Sequence, residues 1–236
     1  MPEFLHTDAD LEHALRKLIA ADPRLDEILA LAGMPALRRR EAGFAGLAAI
    51  VCGQQLSTAS AAAIRTRLFA AFDPFHHDAV RRARATKLAK LGLSAPKIKS
   101  IKAIATEIAK GRLDLEAIAR SDADTAHQML IAVHGIGPWS ADIYLLFCLG
   151  HADAWPAGDL ALQEAARLAL KLKTRPTAKE LTALAEMWRP WRGAAAHLFW
   201  KYYAVAKKRE GISLEQGAKE NKTKRKPNGK ARRPAA

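Results

Sequence analysis

The residues best placed to do chemistry are a carboxylate and a glycine turn about twenty positions before it. Asp159 stands in Trp155-Pro156-Ala157-Gly158-Asp159, a loop that runs into the apolar segment beginning at Leu160. An Asp in this setting is an N-cap by residue type, because its oxygen accepts a backbone N–H of the first turn. Such a cap can still face a cleft, where a fixed anion stabilises positive charge that develops on a substrate. The turn lies in residues 125–149, TAHQMLIAVHGIGPWSADIYLLFCL. An apolar-periodic segment ends at Val133, His134 to Gly137 reverse the chain, and Pro138 suits a first helical position. Gly135 and Gly137 allow positive φ and close approach to another surface. The N–H groups of Gly137, Trp139 and Ser140 would point out of a helix start, which favours an anion. A bare Gly-x-Gly is also an ordinary corner between two core helices, with Ile136 plugging inward.

Other chemistries are excluded. Cys52 and Cys148 are the only cysteines, so a disulfide framework, a four-cysteine iron–sulfur cluster and a cysteine-rich zinc site are ruled out. His76 and His77 are adjacent and no His-Glu-x-x-His occurs, so the eight histidines suggest no zinc constellation. No apolar run reaches about 18 residues, which argues against a membrane span. The N-terminal segment carries Glu3, Asp8, Asp10 and Glu12 without a signal-peptide core. A cytoplasmic protein, or a nuclear one in a eukaryote, is therefore expected.

The elements must position the carboxylate and the turn. The chain has 236 residues, 50% hydrophobic and 26% charged, enough to bury a core without disulfide or metal staples. Ala, Leu, Lys, Arg and Glu dominate, and apolar residues recur at three and four. Helices are expected from Asp8 to Ala21, from Pro23 to Gly33, after Ser57 to Phe72, and from Lys97 to Lys110. Others are expected from Asp122 to Val133, Pro138 to Leu149, Asp159 to Leu170, Thr177 to Trp188, and Pro190 to about Ala206. Phe44 to Cys52 is a short apolar stretch. No segment alternates with period two, so the fold class is all-α. The net charge is +14. Residues 207–236 hold 11 Lys and Arg against 3 Glu, and they read as a disordered basic arm, either solubilising or holding phosphates without regard to sequence.

The full pattern resembles the helix-hairpin-helix–Gly/Pro–Asp superfamily of DNA glycosylases. Its marks are the apolar helix, Val133-His134-Gly135-Ile136-Gly137, the second helix, then the loop and Asp159. The resemblance implies two helical subdomains flanking a DNA-binding cleft. Residues 41–150 would form the central subdomain, with the hairpin at 125–149. Residues 1–40 would pack with 151–206, and 207–236 would be the tail. It also implies that Asp159 is catalytic and that the hairpin, through His134, Gly135, Gly137 and Ser140, grips a phosphate of double-stranded DNA. A monovalent cation on the carbonyls of Ile131, Val133 and Ile136 is a family feature; no other cofactor is implied. Relatives that also cut the backbone resemble one another in a Lys two residues after the second hairpin glycine; Trp139 stands there. The resemblance therefore implies a monomeric, monofunctional enzyme that leaves an abasic site.

Further stretches resemble the 3-methyladenine DNA glycosylase II family. They are Gln54-Gln55-Leu56-Ser57, Leu93-Ser94-Ala95-Pro96-Lys97-Ile98-Lys99, Trp188-Arg189-Pro190-Trp191-Arg192, and Trp200. The resemblance implies that Gln54, Gln55 and Ser57 meet DNA, with Gln55 as the wedge that fills the gap left by a flipped base. It implies a base pocket of Trp139, Trp200, Tyr144 and Ile143, with Ile143 where relatives can carry an aromatic. Aromatic faces attract the electron-poor ring of an alkylated base. The rival readings are a non-catalytic helix-hairpin-helix module, a glycosylase for deaminated or mismatched bases, and a basic structural protein.

Overall fold

The computed structural model describes residues 3–223, with side chains through residue 208. Among the described residues every named element is helical, and one isolated antiparallel bridge joins Phe4 to His151. Helix α1 (Asp8–Ala21) is capped by Thr7 rather than Asp8, in a capping box with Asp10. Asp8 instead accepts the Leu37 N–H at 2.7 Å, which ties the 33–42 connection to the start of α1. Helix α2 (Arg24–Ala32) stops at Gly33, whose φ is 72°.

Helix α3 (Gly43–Gly53) is apolar nearly all round and buried, and α4 (Thr58–Ala70) starts on a Ser57 cap. Helices α5 (His77–Arg82), α6 (Ala85–Lys90) and α8 (Leu115–Arg120) were not anticipated. At six residues each they are too short to show a period. Between them, α7 (Ala95–Ala109) starts after Ser94, with Pro96 in its first turn. The hairpin consists of α9 (Ala123–Ile131) and α10 (Pro138–Ile143). The second hairpin helix does not continue as an α-helix to Leu149. Residues Tyr144–Leu149 form a π-helix that is closed by Gly150 at φ 84°.

Helix α11 (Leu160–Ala169) follows Asp159, then α12 (Ala178–Ala185), a 3-10 turn over Glu186–Trp188, and α13 (Arg192–Thr223). Residues 207–223 are therefore helical, contrary to the expectation of a disordered arm; their Lys, Glu, Ala and Gln are strong helix formers. The rest of that expectation falls on residues 224–236, outside the described residues. Packing sorts the helices into two groups. Helices α1, α2 and α11 lie against α13, whereas α3 lies against α4, α7, α10 and the π-helix.

Candidate active site

Asp159 sits where the two groups meet. Its loop is held by a chain of backbone bonds: Ala157 N–H to the Trp155 carbonyl at 2.8 Å, and Asp159 N–H to the Pro156 carbonyl at 2.8 Å. Gln163, one turn into α11, donates to the Ala157 carbonyl at 2.8 Å. Upstream, Gly193 N–H donates to the Ala152 carbonyl at 2.7 Å, fixing the loop to α13. Buried Arg192 and half-exposed Arg189 both bridge Asp153 in the loop to Asp124 at the start of α9. The Trp188-Arg189-Pro190-Trp191-Arg192 stretch thus locks loop, hairpin and last helix together.

Three neutral donors hold the half-buried carboxylate. Oδ1 accepts the Leu162 N–H at 2.9 Å, the N-cap bond, and the Trp200 indole N–H at 3.1 Å. Oδ2 accepts the Trp139 indole N–H at 2.9 Å. This matches the acceptor-only character of a carboxylate. Among the described residues no Lys, Arg or His forms an ion pair with it. Asp159 opens onto a groove of about 740 Å³ lined by the α3–α4 turn (Gln54, Gln55, Leu56), the start of α10 (Gly137 to Ser140) and residues 158–161.

The hairpin forms the floor. Gly135 has φ 91°, and a Cβ there would collide with the Cβ and Oγ of Ser100 on α7, so no other residue fits the crossing. The first helical bond of α10 runs from Ala141 N–H to the Gly137 carbonyl at 3.0 Å, so the N–H groups of Gly137, Trp139 and Ser140 precede the ladder. Ile136 is buried and His134 exposed. The Val133 carbonyl accepts the Ile136 N–H at 3.1 Å across the turn.

The sequence candidates separate into two sets. Gln54 is a brace: its side-chain amide donates to Ser140 Oγ at 2.9 Å and to the Gly135 carbonyl at 3.3 Å, joining the α3–α4 turn to the hairpin. Gln55 is exposed at the tip with φ 56°, and Ser57 caps α4. Trp139 and Trp200 converge on Asp159, but by their indole edges. The face of Trp200 is covered by the Phe147 ring at 5.4 Å and the Arg38 guanidinium at 6.0 Å. Tyr144 and Ile143 do not line the groove. Both are buried in the core, and the Tyr144 hydroxyl accepts the Gly43 N–H at 3.0 Å. Burial pushes its phenol up to about 12. Tyr144 opens the apolar π-helix, whose residues through Cys148 are all buried, and Ile143 ends α10 just before it.

Three further residues at the site had no role assigned from the sequence, although Leu56 and Lys99 lie in the stretches that resemble the family. Leu56 and Leu160 are 42% and 62% exposed on opposite lips of the groove, and single exposed leucines carry no signature in a sequence. Lys99, exposed on α7 beside His134 and Gly135, is a cation on the hairpin's flank. His76, His77 and Asp78 each bring a ligand atom within 4.8 Å of the others. Their chemistry is local, since His76 Nδ1 accepts the Asp78 N–H at 3.3 Å and Asp78 accepts from Arg81 at 2.8 Å. On the far side of Trp139 a second cavity of about 630 Å³ contains His127, whose Nδ1 lies 2.8 Å from buried Asp142. That hydrogen bond raises the His127 imidazole above its usual range.

Comparisons with known proteins agree with this geometry. A family model described as HhH-GPD superfamily base excision DNA repair protein matches residues 48–190. The chain is 35% identical over 209 residues to the "Probable bifunctional transcriptional activator/DNA repair enzyme AlkA" of Mycobacterium tuberculosis, covering 84% of this chain and 40% of that protein. It is 26% identical over 220 residues to a DNA-3-methyladenine glycosylase of Bacillus subtilis, covering 84% of this chain and 71% of that one. The chain thus spans well under half the length of the mycobacterial relative. Among solved structures, the 3-methyladenine DNA glycosylase Mag1 of Schizosaccharomyces pombe, in complex with abasic DNA, superposes with a TM-score of 0.72 at 27% identity. It covers 80% of this chain and 95% of Mag1. With its family model spanning more than half its length, this chain belongs to the HhH-GPD superfamily of base excision DNA repair proteins.

Proposed function

We propose that the chain is a monofunctional DNA glycosylase that excises alkylated bases, 3-methyladenine and similar, from duplex DNA and leaves an abasic site. The observation that carries this reading is Asp159 itself, a carboxylate held by three neutral donors at the edge of a groove floored by the glycine hairpin. Free N–H groups at the start of α10, with Lys99 alongside, suit a phosphate of the damaged strand. Gln55, exposed on the groove's lip beside Leu56, suits the role of a side chain that fills the gap left by an extruded nucleotide.

The chemistry follows from charge. Breaking the C1′–N bond sends the electron pair to the departing base and leaves an oxocarbenium-like sugar. A fixed anion about 4 Å away, at an effective dielectric near 20, lowers that barrier by at most roughly 4 kcal/mol, about three decades in rate. Water then bonds to C1′ and gives up its proton, with Asp159 the nearest acceptor. Trp139 fills the position from which an amine would form a Schiff base, and its indole N–H is already committed to Asp159. Three neutral carbonyls of the hairpin, on Ile131, Val133 and Ile136, are a donor set suited to a monovalent cation that would add positive charge at the phosphate.

Chromatography of the free bases released from methylated duplex DNA tests this reading. The expected products are methylated purines and an intact abasic strand. Borohydride trapping of a protein–DNA adduct would overturn the monofunctional assignment, and release of no base would overturn the excision reading.

A further inference from the structure

Charge is divided sharply by region. Residues 38–102 carry 13 Lys and Arg against 3 Asp and Glu, whereas the other residues through 206 carry 14 against 18. Residues 79–106 hold eight Lys and Arg and no Asp or Glu. Arg81 and Arg82 pair with Asp78, but among the described residues Arg84 and the cations of α4, α6 and α7 form no ion pair. Several are held by neutral acceptors instead. Arg67 Nε donates to the Leu91 carbonyl at 2.9 Å, Lys87 Nζ to the Ala71 carbonyl at 3.2 Å, and Lys97 Nζ to the Cys52 carbonyl at 2.7 Å. A carbonyl orients a cation without cancelling its charge, so the field is left for a ligand outside. Arg84 and Lys90 are exposed, and Arg84 makes no side-chain cap to α6.

These bonds also fix where the cations lie. Lys97 ties the first turn of α7 to the end of α3, two residues before Gln54. The start of α7 shares with the hairpin a groove of about 530 Å³, lined by Pro96, Lys99, His134 and Gly135 among others. Arg67 ties α4 to the turn between α6 and α7, and Lys87 ties α6 to the end of α4. A second groove of about 330 Å³ lies on α6 itself, lined by Arg84, Thr86, Lys87 and Lys90. Lys90 stands five residues before Ala95, so the two are at most about 18 Å apart, and α6 adds about 9 Å. Duplex DNA presents one phosphate per strand about every 3.4 Å, so α6 lies within the span of roughly eight nucleotides from the hairpin groove. The surface does not suit a protein partner. Among the described residues no large apolar side chain is exposed between 79 and 102, and a protein interface needs such anchors at its centre.

Building on the excision reading, we infer that Arg84 and Lys90 on α6 form a second DNA-binding surface, which holds backbone phosphates of the duplex arm flanking the lesion. The hairpin and Lys99 meet the duplex at the lesion; α6 meets it several nucleotides away. The hold is electrostatic and reads no sequence, so it acts on any duplex long enough to reach it.

Duplexes of about 10 and about 24 base pairs, each with a central stable abasic-site analogue and titrated with the full chain over a salt series, test the inference. Arg84→Gln with Lys90→Gln is expected to weaken binding of the long duplex about tenfold at low salt. It should also flatten the dependence of log Kd on log salt by about 2, since each phosphate contact contributes a slope of about 0.9. Binding of the short duplex, and single-turnover base release from saturated complexes, should stay within twofold. Arg84→Lys with Lys90→Arg keeps both charges and should hold the wild-type slope. An unchanged slope on the long duplex would overturn the inference, whatever other polyanion the surface then takes. An equal loss on both duplexes would overturn it too, because the two residues would then serve the hairpin or the fold. Release of no base by the unaltered protein would remove the excision reading, and the slopes would still decide whether α6 holds DNA.

Discussion

Two carboxylates in this protein accept indole N–H bonds of nearly equal length, and they do opposite things with their charge. Asp22, at the end of α1, accepts from Trp188 at 3.0 Å and from Arg24 at 2.7 and 2.8 Å, and it is 2% exposed. Arg24 holds its carboxyl below the usual range. Asp159 accepts from Trp139 and Trp200 and from one backbone N–H, and it faces a groove. A guanidinium orients a carboxylate and cancels its field; neutral dipoles orient it and leave the field to act on something else. Asp22 therefore ties α1 and α2 to the 3-10 turn before α13. Among the described residues no cation forms an ion pair with Asp159.

This contrast can be broken or sharpened by substitution. The largest effect short of removing Asp159 is expected from Trp139→Phe with Trp200→Phe, which leaves a smaller aromatic ring at each position and deletes both indole donors. A hydrogen bond to a charged group contributes about 1.5–3 kcal/mol, so single-turnover base release should fall by roughly two decades or more for the pair and about tenfold for either alone. A smaller loss is expected from Leu160→Arg, at a 62% exposed position on the groove lip. It brings to Asp159 the cation that Asp22 already has, and release from saturated complexes should fall several-fold with thermal stability unchanged.

Asp22→Ala should do the reverse. It orphans the buried Trp188 indole, and urea unfolding should show a loss of about 1–3 kcal/mol, while base release stays within twofold. The smallest effect is a pH slope. The folded-state pKa of Asp22 lies below 3.8, so its contribution is present above that pH and is lost as pH falls from there through the depressed value. Acid unfolding midpoints of the wild type and Asp22→Ala should converge in that window.

Much of this was legible in the sequence, and the exceptions have physical causes. Helix starts at Ser57, Asp122, Asp159 and Thr177 could be read because each has a side chain that accepts a first-turn N–H. The six-residue helices α5, α6 and α8 could not, since they are held by packing rather than by pattern. The turn between α9 and α10 and the Asp159 cap were legible in the residues, but the orientation of the tryptophans was not. An indole offers a face for stacking and an edge for donating, and sequence does not say which one the fold presents. Tyr144 and Ile143 were misplaced for a related reason: a run apolar on all sides has no period from which to tell a pocket wall from a core.

The central claim is that excision depends on the charge of Asp159 and on no other carboxylate held by an indole. Single-turnover release of 3-methyladenine from methylated duplex DNA by Asp159→Asn and Asp22→Asn, side by side, tests it most directly. The account expects a loss of about three decades for Asp159→Asn and a rate within twofold of wild type for Asp22→Asn. Release by folded Asp159→Asn within tenfold of wild type would contradict it.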